Sequence, residues 1–209
     1  MTFRRLAAVL ALGLALLLAP RLGRAEPIDA LSLLDAPVQY TADYSLTQDS
    51  QTWRGTVIHA AGRERRDFTT AFGTQAILLR PDIDEIAILW PDRKWYISTS
   101  LKALTGLLGG TSDLMLDRRA DGSEIVGGER CRRYRVAGIF TGRIWQTKDG
   151  ILMRAAGTVR IRGRERAIST QLTHLRRTRV DPDAFELPLG YHGIPVSPSL
   201  LGAVGGNKQ

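Results

Sequence analysis

The sequence predicts a mainly β protein of the α+β class: a single curved antiparallel sheet or unclosed β-barrel of about eleven strands, covered by short helices. Three observations carry this. Val38, Tyr40, Ala42, Tyr44 and Leu46 alternate with Gln39, Thr41, Asp43, Ser45 and Thr47, the period-two pattern of a strand with one apolar and one polar face. Turn signals recur at short intervals, among them Ala61-Gly62, Pro81-Asp82, Pro91-Asp92, Gly127-Gly128 and Asp149-Gly150, so successive strands are joined as hairpins. No stretch alternates long helices with strands, as a parallel sheet requires.

Residues 1–25 read as a cleaved export signal. Arg4 and Arg5 form its cationic start, Leu6 to Ala19 its apolar run and Gly23-Arg24-Ala25 its small-residue site, and a run ended by Pro20 is short of the roughly 18 to 20 residues that span a bilayer. The expected product is a periplasmic chain, secreted across the inner membrane and not lipid-anchored, because the only cysteine is Cys131. Residues 26–195 are expected to form one domain and 196–209 a mobile tail rich in Ser, Pro, Gly and Ala.

Within the domain, Ile28, Leu31 and Leu34 lie at helical spacing before Pro37 and predict a short N-terminal helix over Glu26 to Ala36. Strands follow at Val38 to Leu46, Gln51 to Ala60, Glu64 to Phe72, Thr74 to Arg80, Glu85 to Trp90 and Lys94 to Ser98. Thr99 or Ser100 is a candidate N-cap for an apolar helix carrying Leu101, Leu104, Leu107 and Leu108 and stopped by Gly109-Gly110. Thr111 to Arg119 continues it irregularly. Strands resume at Ser123 to Val126, Arg130 to Val136, Gly142 to Thr147, Ile151 to Ala155, Thr158 to Arg162 and Ala167 to Leu175, and Phe185, Leu187, Leu189 and Tyr191 dock the tail segment on the sheet.

The full chain carries 29 Lys and Arg against 21 Asp and Glu, a net +8; four of the arginines lie in the export segment, which leaves 25 against 21, or +4, afterwards. That surface is too weakly basic, and too poor in interleaved aromatics, for a nucleic-acid binder. Catalytic signatures are missing. His59, His174 and His192 are the only histidines, none at ligand spacing from another, and there is no nucleophile elbow, phosphate loop or dinucleotide fingerprint. No enzyme activity, cofactor or metal is expected. Asp82, Asp84 and Glu85 cluster without the regular oxygen-ligand loop of a calcium site and read as a solvated turn. Cys131 stands among Arg130, Arg132 and Arg133, which favours a thiolate, or it is a small inward-facing strand residue. Arg160, Arg162, Arg164 and Arg166 line the outer face of a strand, for edge protection or binding. In the group Arg63, Arg65 and Arg66, an arginine facing inward must find carbonyls or carboxylates.

The order of parts, with the segments Ile144-Trp145-Gln146-Thr147-Lys148-Asp149-Gly150 and Asp181-Pro182-Asp183-Ala184-Phe185-Glu186-Leu187-Pro188-Leu189-Gly190-Tyr191, resembles the periplasmic outer-membrane lipoprotein carrier superfamily, and more closely its uncharacterised exported relatives. The resemblance implies an unclosed antiparallel barrel, short helices over its concave face, and an apolar space between them that accepts acyl chains. An arginine after the third strand's turn holds the lid in such carriers; it corresponds here to Arg63, with Arg65 next, and the proline that follows it there is absent. The implied function is a monomeric carrier of lipid or acylated protein that exchanges cargo with a membrane-protein donor or acceptor. The alternative is an envelope sensor or adaptor that binds a protein partner through the same sheet. The candidate groove and lid residues are Tyr40, Tyr44, Trp53, Trp90, Trp95, Leu101, Leu104, Leu107, Leu108 and Trp145.

Overall fold

The computed structural model describes residues 25–70, 73–103, 115–161 and 164–195. Thirteen strands form one sheet: β1 (Glu26–Asp29), β2 (Tyr40–Gln48), β3 (Gln51–Ala60), β4 (Arg63–Thr70), β5 (Gly73–Arg80), β6 (Glu85–Trp90), β7 (Trp95–Ser100), β8 (Met115–Val126), β9 (Glu129–Gly138), β10 (Phe140–Thr147), β11 (Leu152–Ile161), β12 (Arg164–Arg177) and β13 (His192–Pro195). Their order is β1-β8-β9-β10-β11-β12-β2-β3-β4-β5-β6-β7-β13. Every neighbouring pair is antiparallel except β13 on β7. The two ends do not meet, so the expected single unclosed curved sheet is what forms.

Short hairpins follow the turn residues. Pro81–Ile83 and Pro91–Arg93 are matching 3-10 turns, each opened by proline and closed by a left-handed residue, Asp84 at φ 54° and Lys94 at φ 53°, because proline presets the first angle of such a turn. Register shifts lie in β8 at Ala120/Ser123, between β10 and β11 at Trp145/Gln146, and in β12 at Thr173/Arg176. Each adds a residue to one strand and bends the sheet.

Four elements differ from expectation, one of them the unpredicted parallel edge strand β13. The segment predicted as an N-terminal helix is β1 followed by a 3-10 turn, Leu31–Leu34. Asp29 ends the strand by accepting the Leu31 amide at 2.8 Å, and the buried leucine is Leu33, off the predicted helical face. Ile28 and Leu33 instead join Leu116, Val136 and Ile144. The stretch from Met115 to Arg119 is strand, the first half of β8. The strands expected at Ile151 to Ala155 and Thr158 to Arg162 are one, β11, from Leu152 to Ile161, because Gly157 sits opposite Gly142 where a Cβ on Gly157 would meet the Thr141 carbonyl oxygen at 2.2 Å; Arg162 lies outside the described residues. There the glycine permits close approach of two backbones rather than a turn.

The expected cap at the end of β7 is Ser100, whose Oγ accepts the Ala103 amide at 2.9 Å as Leu101–Ala103 turn into helix. Leu104, Leu107 and Leu108, the export segment up to residue 24 and the tail 196–209 lie outside the described residues. Within the described residues, the remaining helical segments are 3-10 turns. The acidic cluster at Asp82, Asp84 and Glu85 serves local structure: Asp84 accepts the Leu101 and Lys102 amides, and Glu85 pairs with Arg80.

Candidate ligand groove

Residues of β2 with even numbers share one face of the sheet, and the register carries that face across its neighbours. Leu172, Tyr44, Gly55, Phe68 and Gln75 form one row over β12, β2, β3, β4 and β5. Ala42, Val57, Arg66, Ile77, Ile88 and Ile97 form the next. Across the Tyr44 row, from the Arg66–Ile77 pair to the Leu46–Trp53 pair on its other side, lies a groove of about 450 Å³, walled by Tyr44, Leu46, Trp53, Phe68 and Ile77, with Arg66, Gln48, Gln51, Thr70 and Gln75 as its polar lining. Gly55 shapes it. A Cβ there would strike the Asp67 carbonyl oxygen at 1.9 Å, so this position carries no side chain between Tyr44 and Phe68.

Arg66 is the inward-facing arginine of its group. Its guanidinium donates to Glu64 Oε1 at 2.6 Å and lies over the Tyr44 ring at 5.2 Å from the centroid. Burial opposes its charge, and Glu64 more than offsets this, so Arg66 remains a cation. Burial also pushes the Tyr44 phenol up to about 12 and that of Tyr40 higher still, keeping both hydroxyls neutral. Further along the same face, in the row beyond Ala42 and Val57, His59 is fully buried, stacks on Tyr40 with ring centroids 4.8 Å apart, and shares a hydrogen bond with the Ala36 carbonyl oxygen at 2.9 Å.

The candidates separate accordingly. Tyr44 and Trp53 line the groove. Tyr40 is on the same face but only 4% exposed, within the core that includes Ala42, Val57 and Leu172. Trp90 and Trp95 pair with each other across β6 and β7, in continuation of the Gln75 row, with Trp95 half exposed. Leu101 is buried where the chain leaves β7. Trp145 is not in the groove lining: it pairs with Arg154, which pairs with Gln171, which pairs with Ser45, so by register it leaves the sheet on the Ser45 side, and its buried ring joins the core cluster that also holds Tyr40, Tyr44, Cys131 and Met153. There Arg154 covers it and its Nε1 donates to Glu124 at 2.9 Å.

Arg63 and Arg65 also point away from the groove, because β4 alternates and Arg66 takes the inner side. Arg65 donates to the Ala184 carbonyl oxygen at 3.3 Å, and Arg63 reaches Glu186 at 3.2 Å and covers the Phe185 ring. The segment they hold is C-terminal. Its Leu187 and Tyr191 cover Ala76, Leu78, Ala87 and Leu89, while Leu189 stays exposed. Strands β5 and β6 are apolar on both faces; this segment closes one of them, whereas Ile77, Ile88 and Ile97 on the groove side are half-buried.

Sequence reasoning missed Leu46, Arg66, Phe68 and Ile77 as groove residues. The signal was present: a two-residue turn at Ala61-Gly62 pairs Ala60 with Arg63, which places every even-numbered β4 residue on the Tyr44 face. Of the other features, Cys131 is the inward-facing kind, 1% exposed, with burial pushing its thiol up to about 11. The later arginines do not share a face, since Arg160 pairs with Glu165 while Arg166 sits opposite Val159 and bonds Asp49.

Fold and groove together define the class: a mainly β protein with an unclosed curved sheet and an apolar groove on one face. No protein-family model matches the chain, and no curated protein sequence does. Solved structures do resemble it. An uncharacterised conserved protein from Thermus thermophilus has 9% identity over 79% of this chain and 95% of its own, with a TM-score of 0.53. PNGF-II has 9% identity over 81% of this chain, at a TM-score of 0.51, but this chain spans only 34% of its length. At these identities the likeness is one of fold. MucB in complex with MucA(peri) is matched at 14% identity over 76% of this chain and 57% of its own, with a TM-score of 0.48.

Proposed function

We propose that this chain is a non-catalytic binding protein of the bacterial cell envelope, carrying an amphiphile, as free lipid or as a protein's acyl chains, in the groove on the Tyr44 face. The observation that carries the reading is the groove itself: five apolar walls around one retained cation, on the face of β2 to β5 opposite the one where the C-terminal segment covers β5 and β6. Its volume lies within the range of small-molecule sites, which are mostly apolar with a few placed polar groups. Leu46, Trp53, Phe68 and Ile77 supply contact for an alkyl chain, and Arg66 offers a charge to a head group. The scattered histidines favour binding over chemistry: His59 is buried, His174 is exposed on Asp43 and His192 is at the edge strand β13.

Native mass spectrometry of protein recovered from a bacterial periplasm tests this. Wild type is expected to carry a co-purified amphiphile, which Leu46→Asp loses while its far-ultraviolet circular dichroism stays unchanged. In parallel, dodecanoate is expected to alter tryptophan fluorescence in wild type, and a Trp53→Phe variant should lose most of that change. An empty wild-type protein whose fluorescence ignores dodecanoate would sink the reading.

A further inference from the structure

On the face opposite the groove, β8 to β11 enclose a second concavity of about 750 Å³. Its floor is made of small residues, Ala137, Gly142 and Ala156. Around it stand Arg119, Arg133, Arg135, Arg143 and Arg154, with Asp117 and Glu124 as the acids of the lining.

Register makes this more than a basic patch. Arg119 is directly opposite Arg135, and Arg135 is directly opposite Arg143, so three guanidinium side chains rise side by side from adjacent strands about 5 Å apart. Like charges placed opposite one another destabilise a sheet. One carboxylate is shared among them: Asp121, at the β8 bulge, lies 3.2 Å from Arg133, 3.1 Å from Arg135 and 3.1 Å from Arg143. Counting Asp117, Asp121 and Glu124, three acids meet five arginines. Arg133 and Arg154 are further committed to Glu124 and to the Trp145 ring, but Arg119 is exposed, and the Arg135 and Arg143 side chains are 67% and 52% exposed.

Asp121 thus displays, inside the chain, the kind of group this surface takes: a carboxylate among guanidinium groups. We propose that the concavity is a docking site for an acidic segment of a partner protein, whose carboxylates pair with Arg119, Arg135 and Arg143. Charge complementarity selects the occupant. A membrane surface fits less well, because the lining presents no exposed aromatic or large aliphatic side chain to enter lipid, and its tryptophan is 6% exposed beneath Arg154. The proposal goes beyond the groove reading and stands or falls separately from it.

Fluorescence anisotropy with a labelled hexaglutamate peptide tests it on the full exported chain. Wild type is expected to bind, more weakly as salt rises from about 50 to about 300 mM. The double variant Arg119→Gln/Arg135→Gln should bind at least about tenfold more weakly, with a melting temperature equal to or above that of wild type, since a repulsive row has been relieved. Arg160→Gln/Arg166→Gln, which removes the same charge elsewhere, should bind like wild type. The proposal is overturned if wild type ignores the peptide, if both double variants lose binding alike, or if phosphatidylglycerol vesicles retain wild type while the peptide does not. A lowered melting temperature in the first variant would overturn it too, by making those arginines structural.

Discussion

Arg65 and Arg66 are neighbours in the chain and serve opposite sides of the sheet, one fastening the C-terminal segment and the other set in the groove. The alternation of a strand decides this, and a charged residue's role follows from its parity. A comparable local network joins Arg177 to Asp149, with Nε to Oδ2 at 2.6 Å, and to Glu129 at 2.9 Å. The Arg177 guanidinium beside Asp149 holds its carboxyl down to about 2, below the unfolded value of about 3.9. A depressed folded value means stability that is complete above the unfolded value and is lost as the pH falls toward 2. Urea midpoints measured from pH 7 to pH 2 should therefore decline steeply below about pH 4 in wild type. Asp149→Asn should flatten that decline and cost about 1 kcal/mol at pH 7, a figure reduced for solvent screening of this partly exposed pair.

At the scale of elements, the strands and turns were legible because each is specified by neighbours in sequence: alternation in β2, proline turns after β5 and β6, the Ser100 cap after β7. The N-terminal segment was misread because leucines at helical spacing also occur where a short strand meets a 3-10 turn, and the unpaired edge of β8 decides between them. The C-terminal segment shows how little a hydrophobic pattern says about depth. Phe185 is fully buried with Ala60 and Val180, while Leu189, four residues on, is fully exposed. Phe185→Ala should cost about 3 to 5 kcal/mol in urea unfolding, and Leu189→Ala less than about 0.5 kcal/mol. Equal losses would mean that the segment does not dock as described.

For the whole molecule, an unclosed sheet has two edges to protect. Both are closed by four-residue strands containing proline, β1 with Pro27 and β13 with Pro195, and short proline-bearing edges resist pairing with another chain. Deleting residues 26–29 uncovers the twelve-residue β8. Sedimentation velocity should then show stronger concentration-dependent association than the full chain does; a deletion variant that associates no more than the full chain would deny β1 this role.

The sequence by itself determined the mainly β class, the hairpin succession and the residues able to cap and turn, since these depend on contacts between near neighbours. It could not say which face of each strand meets which. Only the register across β12, β2, β3, β4 and β5 gathered Tyr44, Trp53, Arg66 and Phe68 into one groove and left Trp145, Arg63 and Arg65 outside it. The physical reason is that a strand's side chains alternate with a period of two, so one residue of pairing register moves every side chain to the opposite face.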